Sequence, residues 1–217
     1  MADKESRKGL RYTSKDILDY VNNLHAPHDE ALDRAFKAPA AKGMPEIQIG
    51  PSEGKLLYLM LKLIGARKVV EVGTLAGYSA LWMARALPDD GRLWTLESEP
   101  SHAEVARENI SAAGLDRIVA VVQGRAADVL PGLVQKGPFD AVFLDADKGG
   151  YAFYMEWAAE NLRSGGLLMA DNAFFFGGLL ADEPDAASVR RMHENAGKTF
   201  DCVTIGTGDG MFLGIRR

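Results

Sequence analysis

The chain has 217 residues, 47 % of them hydrophobic and 25 % charged, with a formal net charge of −5. That length suits one domain with a sizeable core. Lys and Arg scattered under a net negative charge give no footprint for nucleic acid, and a single cysteine, Cys202, excludes an intrachain disulfide and fits a reducing compartment.

In chain order, residues 1–12 are polar, lack the apolar stretch of a signal peptide and read as frayed. Ser14 is a candidate N-cap for a helix carrying Ile17, Leu18 and Val21 on one face, and a second short helix is expected over Asp29 to Lys37. The Pro and Gly content of Ala38-Pro-Ala-Ala-Lys-Gly-Met-Pro45 predicts a loop. Ser52 then caps a helix through about Ile64.

From Arg67 the pattern changes to short β-branched runs between helical segments. Strands are expected at Lys68–Val72, Arg92–Leu96, Ile118–Val122, Ala141–Leu144 and Leu167–Ala170. Helices are expected at Tyr78–Ala86, Ser101–Ala113, Ala126–Leu133, Tyr151–Leu162 and Glu183–Ala196. Continuous apolar strands alternating with helices predict an α/β, doubly wound and mostly parallel sheet. Asp201–Ile205 and Met211–Ile215, joined by Gly206-Thr-Gly-Asp-Gly210, read as a closing antiparallel hairpin. The whole of 1–217 reads as one domain, 1–45 a helical appendage and 46–217 the α/β core. No run approaches the about 18 apolar residues that span a bilayer, so a soluble cytoplasmic protein without a membrane partner is expected.

Two strand ends carry oxygen ligands. Phe139-Asp-Ala-Val-Phe-Leu ends in Asp145, and Gly166-Leu-Leu-Met-Ala ends in Asp171-Asn172. On neighbouring parallel strands these meet at one edge of the sheet, and two carboxylates with an amide oxygen suit a hard divalent cation. Asp147 falls on the same side as Asp145 by alternation, so spacing alone leaves both open as ligands. Lys148, one turn on, is a candidate base or the partner of a nearby carboxylate.

The first strand runs into Val69-Val-Glu71-Val-Gly73-Thr-Leu-Ala-Gly77-Tyr-Ser79. A Gly turn at a helix start lets a ligand approach backbone N–H groups. Its glycines do not match the G-x-G-x-x-G of dinucleotide sites. Glu71 at the strand end would repel a pyrophosphate, whereas it can accept from a cationic amine. Glu97 ends the next strand, where such folds place a carboxylate on ribose hydroxyls. A nucleoside with an amine and little phosphate fits, and S-adenosylmethionine meets that description.

The segments Glu71–Ser79, Leu144-Asp-Ala-Asp-Lys148 and Gly165-Gly-Leu-Leu-Met-Ala-Asp-Asn172 resemble the cation-dependent O-methyltransferases, the family of catechol O-methyltransferase and the caffeoyl-CoA O-methyltransferases. The resemblance runs from about Ile17 to Gly208-Asp-Gly-Met-Phe-Leu213. It implies a seven-stranded sheet with the last strand antiparallel. It implies that Glu71, Gly73, Thr74, Leu75 and Ser79 line the methionine end of S-adenosylmethionine, with Ile49 flanking it. Glu97 would hold the ribose, and Ala126 would lie by the adenine. Asp145, Asp171 and Asn172 would bind the metal, Mg²⁺ first with Ca²⁺ or Mn²⁺ as alternatives. Asp145 would also lie close to the cofactor, and Lys148 would be the general base. The implied acceptor is a small aromatic vicinal diol of catechol or caffeoyl type. A homodimer is expected from family habit and from the otherwise unexplained N-terminal helices.

The chain departs from the family at Ala173-Phe-Phe-Phe-Gly177-Gly178, where an aromatic residue followed by Ser-Gly is usual. These phenylalanines could wall an acceptor or simply pack. Trp82, Met83, Tyr151 and Tyr154 are expected in packing, Cys202 as a buried inert thiol, and His25, His28, His102 and His193 at the surface. The rival readings are an NAD(P)-binding Rossmann oxidoreductase and a non-catalytic S-adenosylmethionine-binding module.

Overall fold

A computed structural model describes residues 13–217; the frayed segment expected at 1–12 lies outside the described residues. Three helices precede the sheet: α1 (Lys15–His25), α2 (Glu30–Lys42) and α3 (Pro51–Leu63). Strands β1 (Lys68–Val72), β2 (Arg92–Glu97), β3 (Val119–Gln123), β4 (Phe139–Leu144) and β5 (Leu162–Ala170) alternate with α4 (Tyr78–Ala84), α5 (Pro100–Ala112), α6 (Ala126–Leu133) and α7 (Tyr151–Asn161). Helix α8 (Pro184–Ala196) and strands β6 (Phe200–Ile205) and β7 (Met211–Arg216) complete the chain.

The seven strands lie in the order β3-β2-β1-β4-β5-β7-β6. Strands β1 to β5 pair in parallel, and β7 runs antiparallel to both β5 and β6. β1 buries all but its first residue, and Phe143, Val142 and Leu168 are fully enclosed, as expected where helices cover both faces. Strand order reverses direction about β1 and β4, and ligands of such sheets bind in the crevice beyond the strands' carboxyl ends there.

The sequence sets most helix ends. Asp29 caps α2 by accepting from the Leu32 amide at 3.0 Å. Pro100 and Pro184 open α5 and α8, where the missing N–H costs nothing. The α3 cap is Gly50 rather than Ser52, with Glu53 Oε2 accepting from the Gly50 amide at 2.7 Å.

Three further expectations fail. Ala38–Lys42 is helix, not loop, because α2 continues through Pro39 to a left-handed Gly43. Burial of Ala38 against Ala76 and Val105 outweighs the one hydrogen bond that Pro39 removes. Cys202 is exposed, because β6 is an edge strand on which Asp201, Cys202 and Val203 are all exposed. Among the histidines only His25 is fully at the surface: His28, His102 and His193 are half-buried. The closing hairpin, the parallel core and the buried Trp82 and Met83 are as expected.

Candidate active site

The turn after β1 is shaped by contact with the end of β4. Gly73 has φ +101, and a Cβ there would lie 2.0 Å from the Asp145 carbonyl oxygen. The Asp145 amide donates to Val72 O at 2.8 Å. Only glycine lets the two strand ends meet this closely.

Glu97 braces the same turn. Its Oε2 accepts from the Leu75 amide at 2.8 Å and the Thr74 amide at 3.2 Å, and its Oε1 from the Glu99 amide at 2.9 Å. Thr74 and Thr95 join their hydroxyls at 2.5 Å. Glu71 is wholly buried; one oxygen accepts from the Ser79 hydroxyl and the other, Oε2, has no hydrogen-bond partner. Burial pushes its carboxyl up to about 8, against the Ser79 hydrogen bond and with help from Asp145 and Glu97.

Beyond these strand ends lies a cavity of 590 Å³. Ile49, Gly73, Thr74, Leu75, Ser79, Glu97, Ala126 and Asp145 all line it, and Glu71 sits directly behind Ser79. Sequence reading missed Gln48, Tyr78, His102, Arg125 and Tyr154, which also line it. His102, in the first turn of α5, has its Nδ1 3.9 Å from Glu97 Oε1. Tyr78 is buried, its hydroxyl 2.7 Å from His28 Nε2, and burial raises its phenol to about 12.

The second group of residues sits where β4 and β5 end. The register pairs Leu144 with Ala170, and the Asp171 amide donates to Leu144 O at 2.9 Å. Asp145 and Asp171 are thus the next residues on adjacent strands, and Asn172 follows with φ +51. Lys148 Nζ lies 3.3 Å from Asp145 Oδ1 and 2.8 Å from the Tyr151 hydroxyl. Burial pushes Asp171 up to about 7, with Asp145 and Glu53 adding to it and the Asn172 amide and Lys148 opposing. Burial also raises Asp145, against the pull of Lys148. Asp147 faces a different partner, accepting from the Tyr154 hydroxyl at 2.7 Å.

Among the described residues, no group of three or more His, Cys, Asp or Glu is placed to hold a metal ion. The set read from the sequence has only two carboxylates, with an amide as its third member, and it fits a hard cation on one further observation. Asp171 Oδ1 is buried without a hydrogen-bond partner, an arrangement that costs about 1–3 kcal/mol unless something meets it.

Tyr151 and Tyr154 do more than pack. Tyr151 is fully buried, and its hydroxyl reaches Asp171 O at 3.0 Å and Leu144 O at 3.2 Å. Burial, then the charges of Asp145, Asp171, Asp147 and Asp209, hold its phenol well above the usual range, so it keeps its proton. The Phe174–Phe176 segment is folded back tightly, with Phe175 and Phe176 both at positive φ. The Phe174 and Phe176 amides donate to Asp209 O and Oδ2 at 2.9 and 2.8 Å. Phe176 is 71 % exposed, so it is no part of the core.

A sequence model described as O-methyltransferase matches residues 23–217. A protein of Niastella koreensis named catechol O-methyltransferase is 43 % identical over 208 residues, covering 90 % of this chain and 94 % of that protein. The crystal structure of an O-methyltransferase from Bacillus cereus in complex with SAH superposes with a TM-score of 0.89 at 33 % identity, covering 93 % of this chain and 97 % of the other. The O-methyltransferase TomG from Streptomyces achromogenes, in complex with SAM and involved in tomaymycin synthesis, gives 0.89 at 34 % identity with 99 % of each chain covered.

Proposed function

The chain belongs to the O-methyltransferase family, and on that footing we propose that it transfers the methyl group of S-adenosylmethionine to one hydroxyl of a small vicinal diol of catechol or caffeoyl type, with a divalent cation held by Asp145, Asp171 and Asn172. Membership removes the nicotinamide-dependent oxidoreductase and the non-catalytic module as readings. The observation that carries the proposal is the adjacency of two sites sharing Asp145: the cavity beyond β1 and the carboxylate pair at the ends of β4 and β5.

In this reading Glu71, Gly73, Thr74, Leu75, Ser79 and Ile49 surround the methionine end of the donor. Glu97 takes the ribose, and Ala126 lies by the adenine. The partnerless Glu71 Oε2 supports an ammonium there, since a buried acceptor calls for a donor. Glu97 keeps capacity for a ribose hydroxyl, because each carboxylate oxygen can accept more than one bond. SAM- and SAH-bound relatives at 34 and 33 % identity add support.

Asp145, Asp171 and Asn172 would hold the cation, Mg²⁺ foremost with Ca²⁺ or Mn²⁺ as alternatives. When bound, a hard cation would draw two adjacent acceptor oxygens together and lower a phenol pKa from about 10. Lys148 takes the proton of the attacking hydroxyl. The oxygen then forms its bond to the methyl carbon as the carbon–sulfur bond breaks, its electron pair going to sulfur to leave S-adenosylhomocysteine. Holding donor and acceptor in line supplies much of the rate. Phe176 and Leu180, both exposed in the segment after Asn172, would meet an aromatic acceptor.

We also read residues 1–217 as one catalytic unit that dimerises. Ile17, Leu18, Tyr20 and Leu24 of α1 and Leu59 and Leu63 of α3 are exposed, and apolar patches of that kind mark interfaces. Light scattering at the mass of one chain would contradict the dimer. Among the described residues, no helix is long and apolar enough to cross a membrane. The acceptor class is tested by screening catechols and caffeoyl esters against their monohydroxy analogues with S-adenosylmethionine. Methylation confined to the vicinal diols is expected, and equal turnover of monophenols would overturn it.

A further inference from the structure

The hydroxyl of Tyr151 has one proton and sits among three polar groups. Two are carbonyl oxygens that can only accept: Asp171 O at 3.0 Å and Leu144 O at 3.2 Å. The proton therefore points between them, and an oxygen lone pair faces Lys148 Nζ at 2.8 Å. Lys148 donates to that lone pair and, at 3.3 Å, to Asp145 Oδ1. Its Nζ also lies 4.8 Å from the centre of the Tyr151 ring. A neutral amine has two N–H donors and one lone pair. With both donors engaged by Tyr151 and Asp145, the direction of the lone pair is fixed.

The turn that carries these two residues is held from behind. The Ser188 hydroxyl of α8 donates to Gly149 O at 2.8 Å, and its oxygen accepts from the Ala152 amide at 3.3 Å. Ser188 is buried, as is Tyr151. The same phenol therefore ties the end of β4, through Leu144 O, to the end of β5, through Asp171 O, and both to the lysine.

We propose that Tyr151 is a positioning residue for methyl transfer: its hydroxyl aims the Lys148 amine and keeps it in register with the strand ends that carry Asp145 and Asp171. This rests on the reading of Lys148 as the base. It concerns a side chain whose helical spacing predicts packing alone.

The test is a double-mutant cycle of Tyr151→Phe, Lys148→Met and the pair. The rate constant is referred to cofactor-binding sites counted by calorimetry, so that a fraction of unfolded protein does not enter it. Phenylalanine keeps the ring and removes only the hydroxyl. In Y151F, kcat is expected to fall about ten- to a hundred-fold, as for a misplaced catalytic group. Its KM for acceptor and its affinity for S-adenosylmethionine should stay within about two-fold. In the K148M background the same substitution should leave the residual rate unchanged, because groups that act as one unit are not additive. An inactive K148M beside a fully active Y151F would overturn the role of Tyr151 alone. So would an equal loss of rate from Y151F with and without Lys148. Wild-type turnover in K148M would overturn the base itself, and the aiming role with it.

Discussion

Gly73 and Asp145 touch through the space where a side chain would be: a Cβ on Gly73 would lie 2.0 Å from the Asp145 carbonyl oxygen. The cavity beyond β1 and the carboxylate pair at the ends of β4 and β5 are therefore joined at one backbone contact. Gly73→Ala has no flexible atom to displace, and its φ of +101 is strained for any L side chain. The variant should lose more than about 1 kcal/mol of stability, and its S-adenosylmethionine affinity should drop at least about ten-fold. Thermal melting and calorimetry measure both. Wild-type affinity in G73A would show that the turn can move without harm.

Glu71 makes the ligand-free protein sensitive to pH. Its ordinary value is 4.5 and the fold raises it to about 8, chiefly by burial. Below 4.5 both states hold the proton and its contribution to stability is fully present. Between 4.5 and about 8 the unfolded chain has released the proton and the folded one has not, so stability falls as pH rises, and the loss is complete above about 8. Asp171, raised to about 7, loses stability in an overlapping window. The Glu71 share is the difference between wild type and Glu71→Gln, which should show a flatter melting profile. An ammonium arriving beside Glu71 favours its charged form. Binding near neutral pH should then release a proton, seen as a heat that varies with buffer ionisation, and E71Q should abolish that variation.

The parallel core was legible because β1, β4 and β5 are short, mostly apolar runs that alternate with helical segments. Asp145 and Asp171 come together once those strands are neighbours, since the register fixes the next residue on each. Glu97 was legible as a strand-end acid, but its hold on the Leu75 and Thr74 amides was not. Pro39 misled because burial of Ala38 against Ala76 and Val105 is a tertiary fact. Cys202 misled because an apolar stretch does not reveal that its strand lies at the sheet's edge. The Tyr151 hydroxyl was invisible because helical periodicity reports which way a side chain faces and not what its polar tip meets.

Asp140 gives a structural control at the opposite end of the strands. It accepts from Arg163 Nε at 2.7 Å and from the Arg67 and Lys68 amides at 2.9 and 2.8 Å. Burial pushes its carboxyl up, but the Arg163 hydrogen bond and the two amides more than offset this, leaving it below the usual value. Its contribution is therefore present above the unfolded value and lost as pH falls through the folded one. Asp140→Ala removes hydrogen bonds at an exposed strand end, where water can take the carboxylate's place, and should cost about 1 kcal/mol. Turnover per folded molecule should be unchanged, and a large fall in kcat at full folding would contradict the assignment.

Asp171 separates the two sites. It does not line the cavity proposed for the donor, so Asp171→Ala should bind S-adenosylmethionine within a few-fold of wild type, by calorimetry. Methyl transfer should fall on the order of a hundred-fold or more, with no response to added cation. Loss of donor binding in step with activity would mean that the carboxylate pair belongs to the donor cavity alone.

The most direct measurement is methyl transfer from labelled S-adenosylmethionine to a catechol by metal-stripped protein, with product counted as Mg²⁺ is added back. The expected result is almost no product in excess EDTA, saturable recovery with the cation, and no recovery in D171A. Full-rate methylation in excess EDTA would contradict a cation held by Asp145, Asp171 and Asn172.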